Sequence, residues 1–191
     1  IDVYLKKGDK ESVKVEITGG QLSEVITEIS GGYLRIHMRE SNGWGRNKRD
    51  VKVYVTYVNL DKLSASSASN MFSDGPIKFT TLDVHASSAA NIEVSIDGGD
   101  VTVHASSAGD ISLEGKAKSL RADASSAGEI DAYNLTVEGA EASASSAGTV
   151  KLNVSTSLEA HASSGGSIRY RGNPGKTNTD SSSGGSVKRS N

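Results

Sequence analysis

Seven short runs of alanine, serine and glycine recur along the chain at almost constant intervals, and no other feature restricts the fold as tightly. They begin at Ala65, Ala86, Ala105, Ala124, Ala144, Ala162 and, in a Ser-Ser-Ser-Gly form, Ser181, in steps of 21, 19, 19, 20, 18 and 19 residues. A period of this length is the mark of a solenoid. One unit is too small to bury an apolar face alone, so successive units must stack, each touching its neighbours.

Within a unit, apolar and polar residues alternate, as in Leu82, Val84, Ala86, Ser88, Ala90, Ile92 and Val94 against Asp83, His85, Ser87, Ala89, Asn91 and Glu93. A period of two predicts strands with one set inward and the other outward. Turn residues such as Asp97-Gly98-Gly99-Asp100, Glu114-Gly115 and Glu138-Gly139 separate the strands. The fold class is therefore all-β: a parallel β-helix with coils of about 19–20 residues. About ten such coils at ~4.8 Å would make a rod of ~45–50 Å. Ile92, Ile111, Ile130, Val150, Ile168 and Val187 should stack in one interior column.

Strict alternation puts Ser88, Ser107, Ser126, Ser146 and Ser164 inside. A buried hydroxyl without a partner costs ~1–3 kcal/mol, so backbone carbonyls or trapped water would have to serve them. The alternative is that the Ser-Ser pair bends the strand and resets the alternation there.

Residues 1–60 lack the small-residue run but read as strands in Ile1 to Leu5, Val13 to Ile17, Val25 to Ile29, Tyr33 to Met38 and Val51 to Val58. Segments starting at Val13, Tyr33 and Val51 suggest the same coil period with larger side chains; antiparallel hairpins that seed the repeats are the alternative. The expectation is one β-helix domain over 1–191, with larger-residue coils in 1–60 and the Ala-Ser-Ser-Ala repeats in 61–191. The tail from Gly172 should form the last coil and then fray.

The formal net charge of −2 offers no electrostatic case for nucleic acid. Arg46, Lys48 and Arg49 near Trp44, and Arg169, Arg171, Lys176, Lys188 and Arg189 near the end, read as solvated clusters. There is no cysteine, so disulfides and thiolate metal sites play no part. No signal peptide or membrane-spanning stretch occurs in these residues. Because Ile1 already begins inside a strand, the sequence reads as an excised mature fragment.

The opening Ile1-Asp2-Val3-Tyr4-Leu5, the strand Gly32-Tyr33-Leu34-Arg35-Ile36, and Val51-Lys52-Val53-Tyr54-Val55 leading to Leu60-Asp61-Lys62-Leu63-Ser64 precede the small-residue train. In that order they resemble the putative auto-transporter adhesin family with the head GIN domain, found in bacterial envelope proteins. Family members often carry Ser-Gly-Ser-Gly where this chain has Ala-Ser-Ser-Ala, and the first family strand looks truncated here. The resemblance implies a right-handed β-helix exported to the periplasm, outer membrane or cell surface, behind a leader or lipid anchor outside this fragment. It carries over no catalytic residue.

Parallel β-helices also include enzymes that cleave polysaccharides, whose chemistry needs two carboxyl groups ~5–10 Å apart. Asp110 with Glu129, and His104 with Asp123, occupy equivalent places on adjacent coils, but aromatics are only 5% of the chain and no sugar platform is evident. His85, His104 and His161 precede three of the Ala-Ser-Ser runs, with Asp123 and Ser143 on the coils between, so only one adjacent histidine pair arises. Structural metal sites want four ligands, and neither a metal nor another cofactor is expected. Small outward residues, Ser87 with Ala89, Ser106 with Ala108, Ser125 with Ala127, Ser145 with Ala147 and Ser163 with Gly165, would form a flat lawn. Such a lawn lacks the methyls of an ice-binding threonine array. It suits docking of a protein or glycan, or self-association, since little side-chain entropy is lost on contact. Ser87, Ser106, Ser125, Ser145 and Ser163 are thus the candidate docking face. Together with the resemblance, which is what implies an extracytoplasmic location, the sequence leads to a noncatalytic structural or adhesin-like module with an unidentified surface partner; a carbohydrate-binding or carbohydrate-cleaving β-helix is the alternative.

Overall fold

The computed structural model describes residues 1–39 and 49–190. The strands are β1 (Asp2–Lys7), β2 (Ser12–Thr18), β3 (Val25–Ser30), β4 (Tyr33–Met38), β5 (Asp50–Tyr57), β6 (Lys62–Ala65), β7 (Asn70–Asp74) and β8 (Ile77–Ala86). They continue as β9 (Asn91–Ala105), β10 (Asp110–Ala124), β11 (Glu129–Ala144), β12 (Thr149–Ala162), β13 (Ser167–Arg171), β14 (Lys176–Ser181) and β15 (Ser186–Arg189). Gly98-Gly99, Gly115 and Gly139, expected to separate strands, lie inside long strands that each make most of a coil. From β6 onward every pairing is parallel. The result is a β-solenoid of about 7 turns, fewer than the ten coils expected, because the first sixty residues do not coil throughout.

Equivalent residues do line up. Ile92 pairs with Ile111, Ile111 with Ile130, Ile130 with Val150, Val150 with Ile168 and Ile168 with Val187. The four from Ile111 to Ile168 are all 0% exposed. Burying apolar area stabilises at roughly 25 cal/mol per Å², so this column, with Leu82, Val101, Leu120 and Leu158 on another wall, carries much of the core. A third column runs Leu63, Val84, Val103, Ala122, Ala142 and Ala160, so on this wall the interior side chains shrink along the rod. Among the described residues no polar or charged side chain is buried.

The serines expected inside are not there. In each repeat the Ser-Ala pair turns the corner with both residues in the left-handed region: Ser107 at φ 49° and Ala108 at φ 58°, and likewise Ser67-Ala68, Ser88-Ala89, Ser126-Ala127, Ser146-Ala147, Ser164-Gly165 and Ser183-Gly184. Gly109 N donates to Ser106 O at 2.8 Å, so the four residues follow the pattern of a type I′ turn. Ser88, Ser107, Ser126, Ser146 and Ser164 are exposed at the tip, and alternation resumes beyond it with a buried Ala90, Gly109, Gly128, Gly148 or Gly166. The left-handed backbone costs ~1–2 kcal/mol per non-glycine residue. The ladder passes through the corner and offsets that cost: Ala108 N donates to Ser126 O on the next coil at 3.1 Å, and Ser106 N to Ala86 O on the previous one at 3.0 Å.

Glycine after the corner answers a close approach. A Cβ on Gly128 would lie 2.4 Å from Ala105 O and 2.8 Å from Ser106 N of the preceding coil. The corners close in three ways: the Ser69 hydroxyl donates to Ser66 O at 2.8 Å in the first, Ala90 N donates to Ser87 O at 3.1 Å in the second, and the backbone bond of the glycine corners is 2.8 Å.

Coils beginning at Val13 and Tyr33 are not observed. β2 runs antiparallel to β5, and β3 with β4 forms an antiparallel hairpin in its own two-stranded sheet. β1 lies between β5 and β7, parallel to both, so that Val53, Val3 and Met71 extend the isoleucine column. At the other end β14 and β15 complete a last coil whose interior positions, Thr177, Thr179 and Ser181, are polar and exposed.

Candidate functional site

Ser87, Ser106, Ser125, Ser145 and Ser163 occupy the position that opens each corner and are half-buried, and their N–H groups donate to the coil before at 2.9–3.1 Å. The fully exposed part of the corner is instead the serine and the small residue that follow, Ser107 and Ala108 in the third repeat. The small-residue surface therefore exists as a ridge of stacked turn tips, not as one side of a flat strand.

The histidine column forms as the spacing implied: Ser64, His85, His104, Asp123, Ser143, His161 and Asp180 follow one another from coil to coil. His85 and His104 meet edge to face with ring centres 6.2 Å apart. With Lys62 and Asp83 they line a hollow of about 260 Å³. Partial burial, then the neighbouring His104 and Lys62, hold His85 below the ordinary imidazole value. His161 Nδ1 lies 3.0 Å from Asp180 Oδ2. Among the described residues no three histidines or acids gather around a common point.

Asp110 and Glu129 are adjacent in register. Partial desolvation first, then Glu129, raises the Asp110 pKa, while Lys151 acts against the rise. Lys151 Nζ donates to Glu129 at 2.6 Å, with Asp131 at 3.5 Å. On another wall a shallow, open groove of about 490 Å³ is lined by Ser119, Arg121, Gly139, Glu141, Ser157, Glu159, Lys176 and Asn178, among others. Arg121 grips both carboxylate oxygens of Glu141 at 2.7 and 2.8 Å, which leaves that acid occupied as a hydrogen-bond acceptor. Of the basic cluster near Trp44, only Arg49 falls within the described residues; it pairs with Glu24 at 3.4 Å.

Two features escaped the sequence reading. Tyr54, Tyr4 and Phe72 stack on successive strands with centroids 5.3 and 5.5 Å apart. Chain order hides this ladder, because β1 inserts between strands that follow it by some fifty residues. Arg171 lies over the Tyr133 ring at 4.0 Å, and the Tyr133 hydroxyl meets Ser190 Oγ at 2.9 Å; Tyr133 falls where β11 carries one residue more than β10 and loses register with β12.

These walls, stacked corners and polar columns define a parallel β-solenoid with an antiparallel N-terminal attachment. The chain belongs to the family described as putative auto-transporter adhesin, head GIN domain, whose model matches residues 1–174. In structure it is similar to a putative adhesin from Bacteroides fragilis, with a TM-score of 0.87 at 20% identity over 99% of this chain and 88% of that one. A putative adhesin from Parabacteroides distasonis gives 0.78 at 19% identity, over 100% and 89%. A protein from the same species described as a putative lipid binding protein gives 0.73 at 18%, over 100% and 89%. Among curated proteins none matches the sequence.

Proposed function

We propose that the chain is a noncatalytic, extracytoplasmic module that presents a rigid solenoid surface to a partner at the cell surface. Support comes first from the backbone ladder at the corners, which is continuous from coil to coil between Ser88 and Ser183. Such a rod holds its outer side chains at fixed intervals, and a preorganised surface loses little entropy on contact. Family membership supports the adhesive sense of that contact. Among the described residues no helix is long and apolar enough to cross a membrane. The proposed contact surface is the ridge opened by Ser87, Ser106, Ser125, Ser145 and Ser163.

A carbohydrate-binding or carbohydrate-cleaving role rests on the groove over Arg121, Glu141 and Glu159. Immobilised protein tested against bacterial and host cell surfaces, and against a panel of glycans with reducing-sugar release monitored, separates the two. The proposal expects binding that falls when Ser107 and Ser126 are both changed to arginine, with no sugar released. Release of sugar that is lost in Glu159→Gln would overturn it.

A further inference from the structure

On the wall built by β9 to β13 and β15, one outward column reads Glu93, Ser112, Asp131, Lys151, Arg169 and Lys188 on consecutive coils. The column beside it adds Asp110 and Glu129 to the acidic half and the uncharged Thr149, Ser167 and Ser186 to the basic half. One straight face of the rod therefore divides at its middle into an acidic and a basic zone. Among the described residues only the boundary is neutralised, by Lys151 against Glu129 and Asp131 at 2.6 and 3.5 Å. Arg169 and Lys188 stack one above the other, and among the described residues neither has an acid within ion-pair distance. At the far end Glu93 accepts the Asn91 amide at 3.1 Å and, among the described residues, pairs with no cation.

This order is self-complementary. A two-fold axis lying in the face, across the rod between Asp131 and Lys151, inverts the column onto itself. Asp131 then meets Lys151 of a second copy, Ser112 with its neighbour Asp110 meets Arg169, and Glu93 meets Lys188, each contact occurring twice. An isologous interface requires this property of a surface, and a single-sign partner would be repelled by one half of the face. We propose that this wall pairs two copies of the chain side by side and antiparallel.

The size of the face sets the strength. About five residues of width and six coils of length give ~460 Å² per copy and ~900 Å² in all, below the standard interface range. The pairing is accordingly weak, reversible and governed by charge. It leaves the turn ridge free and does not depend on the adhesive role.

Analytical ultracentrifugation of the whole chain at ~20 mM and ~500 mM salt reads it, since the screening length contracts severalfold between the two. A dimer at low salt that dissociates at high salt is expected. Lys188→Glu sets like charges against Glu93 of the second copy, and Glu93→Lys does so from the other side; each should raise Kd about tenfold or more. The double exchange, Glu93→Lys with Lys188→Glu, should restore Kd to within about threefold of the parent. Glu93 and Lys188 stand five coils, ~24 Å, apart in one chain, so rescue can act only between copies. Both side chains are exposed, and a thermal melt confirms folding; Arg169→Glu, facing Asp110, repeats the test should either variant melt early. A monomer at every concentration, a dimer indifferent to salt, or a double exchange that fails to recover would overturn the proposal.

Discussion

The N-terminal sixty residues and the repeats that follow use the same strand alphabet to opposite ends. In the repeats, Ile111 and Ile130 are fully enclosed between coils above and below, and each coil is held from both sides. In the hairpin of β3 and β4, Ile29 is 82% exposed and Leu34 37%, and among the described residues the only ladder partner of each strand is the other. Stacking, not apolar content, makes a strand part of a solenoid. The two ends of the rod differ in the same way. β2 crosses the N-terminal end antiparallel with Val15 and Ile17 half-buried, whereas the last coil replaces Leu158, Ala160 and Ala162 by Thr177, Thr179 and Ser181 and remains wet.

The contrast is broken most directly by truncation in each region. Ile130→Ala should cost about 4 kcal/mol in urea unfolding, because the cavity opens between two fixed coils. Ile29→Ala should stay within about 0.5 kcal/mol; similar losses would mean that the hairpin is as firmly packed as the rod. A methyl group at the glycine positions comes next. Gly128→Ala should cost about 2 kcal/mol by overpacking against backbone that cannot retreat, while Gly32, at φ +83° with open space around it, should cost about 1 kcal/mol through backbone strain alone. Alanine is already borne at Ala90, where the corner hydrogen bond lengthens to 3.1 Å, so the cost at Gly128 should be accompanied by a looser corner.

Smaller changes sharpen the corner itself. Ser107→Leu, on an exposed tip, should change stability by less than about 0.5 kcal/mol, and Ser107→Gly should raise it by up to about 1 kcal/mol by removing left-handed strain; a large loss with leucine would return that serine to the interior. The least effect concerns His85. Its folded pKa lies below the ordinary value of 6.5, so the unfolded chain takes up the proton first as pH falls. Stability contributed by the neutral ring is present above that value and declines below it. Melting temperature should drop slightly between about pH 7.5 and 5.5, and His85→Asn should flatten the drop.

Much of this architecture could be read from the chain alone. The 18–21-residue spacing placed the isoleucine column and the histidine column on the correct coils, because parallel coils in register convert sequence period directly into contact. The same arithmetic was available for Glu93, Ser112, Asp131, Lys151, Arg169 and Lys188, which follow at 19, 19, 20, 18 and 19 residues, though their meaning appears only once the wall they share is known. The serines were misplaced because alternation holds only while the backbone stays extended, and a pair of left-handed residues adds a turn that alternation does not foresee.

The sequence by itself determined that the chain stacks, since no single repeat of alanine, serine and a few aliphatics can bury a face alone. Tertiary structure decided which residues the corner turns outward, where β1 inserts, and that β2 to β4 leave the coil. Those outcomes depend on which strand occupies a free ladder edge and on differences of a few tenths of an ångström in how closely backbones approach, and neither is encoded in a local pattern of polar and apolar residues.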